Sequence, residues 1–484
     1  AIMSSGMMDI ARHGIMSPDR FTFEEVMTLF LAVMVTDVIV LDVFNTLGMP
    51  TSTTVSLVFE LLGGAFILAT LKMIGDDSLN YGMLLNSNKA LEVIMGIFSS
   101  VIIAFVFGAF VMWLSRVVFT FNYRKHSRYS IAIFGGIAFT ALSYFIFMKG
   151  LGKSPYLPAE WRDFIDQNIS SLLCATFVVS AIVMEFLHLC RVNIFKFTVL
   201  MGTFALAMAF AGNDLVNFIG VPLAGLSSYN DYMANANGVG PDSFMMTSLM
   251  ESAKTTPVYL LAAGFVMIVA MATSKKAQNV IKTSVDLSRQ DEGDEMFGSS
   301  SAARVIVRNC QSADSWLNRF MPKSLKQWIN SRFDKNDVEL EESAAFDVVR
   351  AAVNLVLASM LITIGTNLKL PLSTTYVTFM VAMGSSLADK AWSRESAVFR
   401  VTGVLSVIGG WFITAGVAFA ACALVCLAMH FGGILAQTAF IVLVIFMLIR
   451  SNIQYNKKSK EESKGSTFQL MMRSHDPEIV WDLL

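Results

Sequence analysis

Residues 26–44, 91–121, 131–148, 172–189 and 258–273, with 440–449 and its lead-in, form apolar stretches. They are of the order needed to cross a hydrocarbon core of ~30 Å, and this constrains the fold more than any other feature. No water is available at that depth, so every backbone N–H and C=O must be paired within the chain. A helix pairs them along its own length. Charged residues make up only 15% of the chain, whereas soluble domains carry about 25%. The apolar runs are too numerous and too widely spread for a leader followed by a soluble domain. The expected class is an all-α polytopic membrane protein.

Charge placement suggests a topology. Basic residues gather in the loop 116–128, in the long polar stretch 275–350 and in the tail after Ile449. By the positive-inside rule these segments face the cytoplasm. The loops 149–168 and 227–251 then lie outside. Beyond Ala351 two readings stand: residues 398–429 as one long tilted helix, or a break at Gly409-Gly410. A formal net charge of −1 gives no reason to expect a nucleic-acid partner.

The five cysteines (Cys174, Cys190, Cys310, Cys422 and Cys426) read as packing residues. Cys422 and Cys426 share a helix face, but a metal site would want further ligands nearby. The histidines are scattered, and the 30 methionines suit adaptable packing rather than a cofactor. No cofactor is expected apart from a coupling ion.

An internal repeat runs through the chain. Phe44-Asn45-Thr46-Leu47-Gly48-Met49-Pro50-Thr51-Ser52-Thr53-Thr54 matches Gly365-Thr366-Asn367-Leu368-Lys369-Leu370-Pro371-Leu372-Ser373-Thr374-Thr375 at a constant offset, and Gly63 falls on Gly384. Each copy follows an apolar helix and precedes an apolar run, 55–62 and 377–383, that reads as too short to span. Short, Pro- and Gly-interrupted segments at matching positions in two halves point to discontinuous helices around a midplane site.

The chemistry of these loops suits an oxyanion. Pro ends the incoming helix, and Ser-Thr-Thr opens the next one. A helix N-terminus offers unpaired N–H groups and partial positive charge, and the hydroxyls add donors without formal charge. A phosphate group, with roughly −1.5 to −2 charges at neutral pH and several acceptor oxygens, could be saturated by two such loops. Simple helix capping would also account for Ser or Thr at one such position; duplication in register favours the anion. Lys369 has no partner in the first half and reads as a snorkelling interfacial residue.

A second constellation, Asn213-Asp214-Leu215-Val216-Asn217, follows Gly212 inside the apolar run 197–226. An Asp at membrane depth costs about 2.5–3.5 kcal/mol on insertion scales and points to function. Gly212 would allow local unwinding, with carbonyls exposed for a hard cation. Asp37, Asp42, Glu60 and Glu185 are individually weaker. Asp37 and Asp42 rank next because they share the helix leading into the first loop.

With these residues in view, the chain resembles the PiT family of inorganic phosphate transporters. That family carries a Gly-Ala-Asn-Asp-x-x-Asn element and a Pro-x-Ser-Thr-Thr element in each of two inverted repeats. Gly212 to Asn217 is similar to the second copy of the former, with Ala and Gly interchanged. Pro50 to Thr54 and Pro371 to Thr375 are similar to the two copies of the latter. The family often has His directly after Ser-Thr-Thr; here Val55 and Tyr376 stand there. The first Asn-Asp element is absent from a chain that opens Ala1-Ile2-Met3, so about two N-terminal helices are expected to be missing from the first repeat.

The resemblance implies two inverted-topology repeats with discontinuous helices. On that reading residues 1–128 are the first repeat, 129–196 connecting transmembrane helices and 197–273 the start of the second repeat. Residues 274–345 form a cytoplasmic loop, 346–450 the rest of the second repeat, and 451–484 a cytoplasmic tail. The implied function is phosphate import across the cytoplasmic (inner) membrane by a multi-pass symporter driven by Na⁺ rather than H⁺, without enzymatic activity. Phosphate would be held by Ser52, Thr53, Thr54, Ser373, Thr374 and Thr375 with Asp214 and Asn217. Na⁺ would be held by Asp214, Asn213 and Asn217, with Asn45, Thr366 and Asn367 leading into the loops. The expected partners are phosphate, the coupling cation and the lipid bilayer, and a homo-oligomer is compatible with the sequence. Transport of sulfate or arsenate is the nearest alternative, followed by an anion channel.

Overall fold

The computed structural model describes residues 10–47, 51–121, 130–144, 158–251, 256–274, 300–305, 307–309, 322–333, 347–368, 370, 372–389 and 394–473. Almost everything within them is helical. The long helices are α1 (Phe23–Thr46), α2 (Thr53–Gly75), α3 (Ser87–Phe119), α4 (Ser130–Ser143), α5 (Ala159–Gln167), α6 (Ile169–Leu189), α7 (Ile194–Asn235), α8 (Pro257–Thr273), α9 (Lys323–Arg332), α10 (Val348–Asn367), α11 (Thr374–Ala388) and α12 (Arg394–Arg473). Among the described residues, seven helices are long and apolar enough to cross a membrane.

Polar side chains at the helix starts explain several boundaries. Thr22 and Glu25 form a reciprocal capping box on α1, which satisfies two N–H groups left over by helical geometry. Asp347 caps α10 and Asn193 caps α7 more simply, each accepting first-turn N–H groups with its side-chain oxygen.

The two helices that follow the Ser-Thr-Thr loops pack in matching ways: α2 lies along α12, and α11 lies along α3. Gly63 and Gly384 make these contacts close. A Cβ on Gly63 would stand 2.2 Å from the Phe419 carbonyl oxygen, and one on Gly384 would stand 2.2 Å from that of Phe105. Only glycine permits backbones this near. Helix α7 touches both α1 and α10, which brings the Asn-Asp element between the two loops.

One large apolar core joins α1, α2, α11, the middle of α7 and the first half of α12; a smaller one gathers around α4 and the start of α7. The outward faces of α6 and α8 are apolar yet uncovered, with Phe186 64% and Phe265 67% exposed. Such faces suit lipid contact.

Near one end of the bundle, Arg116 of α3 is wholly buried between two carboxylates. Its Nε and Nη2 donate to Asp389 at 2.5 and 2.8 Å, and its Nη1 donates to Asp347 at 2.7 Å. The Arg350 guanidinium meets Ser386 beside them. Arg332 of α9 donates to the Val117 and Val118 carbonyls at the end of α3, each at 2.7 Å. It thereby satisfies acceptors that a helix C-terminus leaves open.

Two sequence expectations change, and one open choice is decided. The run after the first triplet is not short: α2 continues past Gly63-Gly64 for a total of 23 residues. Those glycines seat the helix against α12 rather than end it. Helix α12 passes straight through Gly409-Gly410 and breaks at Gly433, where φ is 54°. Its buried stripe of Trp411, Ala415, Ala418, Cys422, Cys426 and Met429 keeps helical spacing against the core and stops just before that glycine. Finally, α7 does not unwind at Gly212: it is helical over all 42 residues, with Pro222 inside it. The prolines Pro50 and Pro371, with Gly48, Lys369 and most of 274–345, lie outside the described residues.

Candidate functional site

The site is assembled from the N-terminal turns of α2 and α11 and the middle of α7. Ser52 and Ser373 open the two short-loop helices in the same way. The Val55 N–H donates to Ser52 Oγ at 3.2 Å, and the Tyr376 N–H donates to Ser373 Oγ at 3.1 Å. Both serines are therefore caps, and both are buried. As acceptors in these bonds, they keep their hydroxyl hydrogens for other partners.

The threonines connect the two halves. Thr54 donates its hydroxyl to the Leu372 carbonyl of the other loop at 3.3 Å. The Asn213 amide donates to that same carbonyl at 2.8 Å. Asn217 reaches the first triplet, with its amide 3.1 Å from Thr53 Oγ1 and 2.9 Å from Thr54 Oγ1. Thr374, from the second triplet, donates to Asp214 Oδ2 at 2.6 Å. The Asp214 Oδ1 also receives Asn213 and Asn217 amides at 3.3 and 3.5 Å. Thus the structure brings both loops and the Asn-Asp element into one hydrogen-bonded cluster.

The electrostatics are mixed by design of the helix ends. Two N-termini converge with partial positive charge, and a single carboxylate sits among neutral donors. The Asn213 side-chain oxygen is buried without a hydrogen-bond partner. An orphaned buried acceptor is costly, and beside Asp214 it is a ready oxygen ligand for a hard cation. Thr375 is half-buried in the first turn of α11, while Asn45 lies in the last turn of α1 and Thr366 and Asn367 end α10. The Thr366 hydroxyl donates to Ile362 O within its own helix at 3.0 Å.

Several neighbours escaped the reading of the sequence. The Leu372 carbonyl is a backbone group, on which residue identity is silent. Tyr376 stacks on Trp411 with ring centroids 3.6 Å apart, and Thr51 meets Thr414 at 3.3 Å. Trp411 belongs to the periodic stripe on α12, a signal present in the sequence but lost within a long apolar run.

The sequence profile of the phosphate transporter family matches residues 1–284, more than half of the chain. That range holds the first triplet and the Asn-Asp element; the second triplet lies beyond it. No curated protein sequence matches the chain. Among solved structures, one described as "The sodium-dependent phosphate transporter" superposes with a TM-score of 0.57 at 15% identity. The match covers 89% of this chain and 86% of that one, a likeness in fold.

Proposed function

The chain belongs to the phosphate transporter family, and from that premise we propose that it is a secondary active importer of inorganic phosphate across the cytoplasmic membrane, driven by symport of Na⁺. One observation carries the reading. Asn217 binds the first triplet while Thr374 of the second binds Asp214, so a ligand held here would touch both halves of the molecule at once.

In this reading, hydroxyls of the two triplets and the N–H groups of the first turns of α2 and α11 receive the phosphate oxygens. Asp214 and the Asn213 side-chain oxygen take the cation, and Asn217 spans the two. Asn45, Thr366 and Asn367 line the approach. Alternating access follows from rocking the two loop-bearing helix groups around the fixed site.

Energetics favour coupling to a cation. Each charge crossing 100 mV changes the free energy by about 2.3 kcal/mol, so a dianion entering an inside-negative cell faces roughly 4–5 kcal/mol. Two or more cations moving with it remove that barrier. The sodium dependence in the structural neighbour's name supports Na⁺ as the driver.

The test is phosphate uptake by the full protein in proteoliposomes, with Na⁺ and pH gradients imposed separately. Na⁺-driven uptake that Asp214→Asn abolishes is the expected result. Unchanged Na⁺-driven uptake in that variant would remove Asp214 from the cation site, and stronger inhibition by sulfate than by arsenate would redirect the substrate.

A further inference from the structure

A second polar cluster lies where α1, α2 and α12 pack together, and the phosphate reading does not use it. Asp37 of α1 is 5% exposed and Glu60 of α2 is wholly buried. Among the described residues, no ion pair engages either carboxylate. Asp37 Oδ1 and Glu60 Oε2 have no hydrogen-bond partner. The Thr36 hydroxyl, 2% exposed, is likewise unpartnered. The titratable groups facing the cluster from α12 are Cys422, which lies against Thr36 and Glu60, and its neighbour Cys426.

Ser56 lies beside both acids. Its hydroxyl donates to Glu60 Oε1 at 2.9 Å. A serine hydroxyl has a single hydrogen, so that donation leaves none for Asp37, whose Oδ1 has no hydrogen-bond partner. An ionised Asp37 would face the Oγ lone pairs, whereas a protonated Asp37 has an O–H to donate to Ser56 Oγ while the Ser56 O–H stays on Glu60. Two ionised carboxylates here would also repel each other in a medium that screens them poorly.

We propose that Asp37 and Glu60, bridged by Ser56, form a proton-binding site inside the membrane that holds one proton at neutral pH. A divalent metal cation is a poorer fit. Hard divalent cations gather about six oxygens, and among the described residues no group of three or more acidic, His or Cys side chains is arranged for a metal. A proton needs only the acid pair.

The site belongs to the first half alone. Asp37, Ser56 and Glu60 correspond, at the offset that superposes the two triplets, to Ala358, Val377 and Val381. It is also mechanically close to the first triplet: the Ser56 N–H donates to the Ser52 carbonyl at 3.0 Å in the opening turn of α2. Proton gain or loss at the carboxyl pair beside Ser56 therefore bears on the turn that carries Thr53 and Thr54. The inference rests on the packing of α1, α2 and α12, and it stands or falls apart from the identity of the transported anion.

Infrared spectroscopy of the full protein in lipid, through the carbonyl stretch of a protonated carboxylic acid, tests it. The wild type is expected to show such a band at neutral pH that shifts when aspartate or glutamate carboxyls carry a heavy isotope. The band should be lost in the Asp37→Asn, Glu60→Gln double variant and should be indifferent to added Na⁺ at constant pH. Absence of an isotope-shifted band in the wild type, which needs no substitution to observe, overturns the proposal. So does a band that persists unchanged in the double variant. Disappearance of the band when Na⁺ is added at constant pH would assign the pair to Na⁺ instead and equally overturn it.

Discussion

The Thr374 hydroxyl and the Asp214 carboxylate meet at 2.6 Å across 160 positions of sequence. The bond joins the first turn of α11 to the middle of α7. Being charge-assisted, it is of the stronger kind, and it sets the orientation of the carboxylate at the centre of the site.

Removal of that hydroxyl should be costly where loss of the threonine methyl alone is not. A hydrogen bond to a charged group contributes about 1.5–3 kcal/mol. Thr374→Val should therefore raise the half-saturating Na⁺ or phosphate concentration about 10-fold or more. Thr374→Ser, which keeps the donor, should stay within a few-fold of wild type. Uptake titrations in proteoliposomes check this, and equal behaviour of the two variants would mean that the hydroxyl is idle.

Asn217 offers a different contrast. Its amide donates to Thr53 and Thr54, and Asp at that position is nearly isosteric but cannot donate when ionised. Asn217→Asp should also set a second negative charge beside the anion site. We expect it to impair phosphate affinity more than Asn217→Ala does, in the same titration. The reverse order would exclude Asn217 from the neighbourhood of the anion.

The paired glycines make a prediction about assembly. Alanine at Gly63 or Gly384 would drive a methyl to within 2.2 Å of a backbone oxygen on the neighbouring helix. Overpacking of this kind costs about 1–3 kcal/mol, so each variant should show a lowered thermal midpoint in detergent. Gly409→Ala is the internal control, since nothing lies within 4 Å of its added methyl. It should match the wild type or exceed it slightly.

Arg116 should be the most sensitive position in the bundle end. It is fully buried with Asp389 and Asp347 as ion partners. Its replacement by Met removes the guanidinium that pairs both carboxylates and leaves Arg350 as the neighbouring positive charge; removing one side of a buried pair costs about 3–5 kcal/mol. Adding Asp389→Leu to Arg116→Met should recover part of the thermal midpoint. If the double variant is no more stable than the single one, the pair is not coupled in the sense described.

Much of this was legible in the residue order. The triplets, their offset and the Asn-Asp element could all be read because each pairs an unusual polar group with an apolar setting. The capping role of Ser52 and Ser373 was one of two readings of the same hydroxyls, and the geometry shows that one. The length of α2 was misread: Gly63-Gly64 looks like an ending in sequence and is a contact point in space. Asp37 ranked second and Glu60 lower still. Each was weak alone, and only the packing of α1 on α2 brings them to one serine.

The sequence by itself determined that the chain spans a membrane as helices, because apolar runs at that depth leave the backbone no partner but itself. It also determined where the helices begin at the loops, because capping is decided within three or four residues. Tertiary structure alone decided which polar groups meet: the Leu372 carbonyl with Asn213 and Thr54, Thr374 with Asp214, Ser56 between Asp37 and Glu60. These contacts depend on helix-to-helix distance and register, which are set by packing against remote parts of the chain. No local pattern encodes them, since the partner atoms belong to other helices.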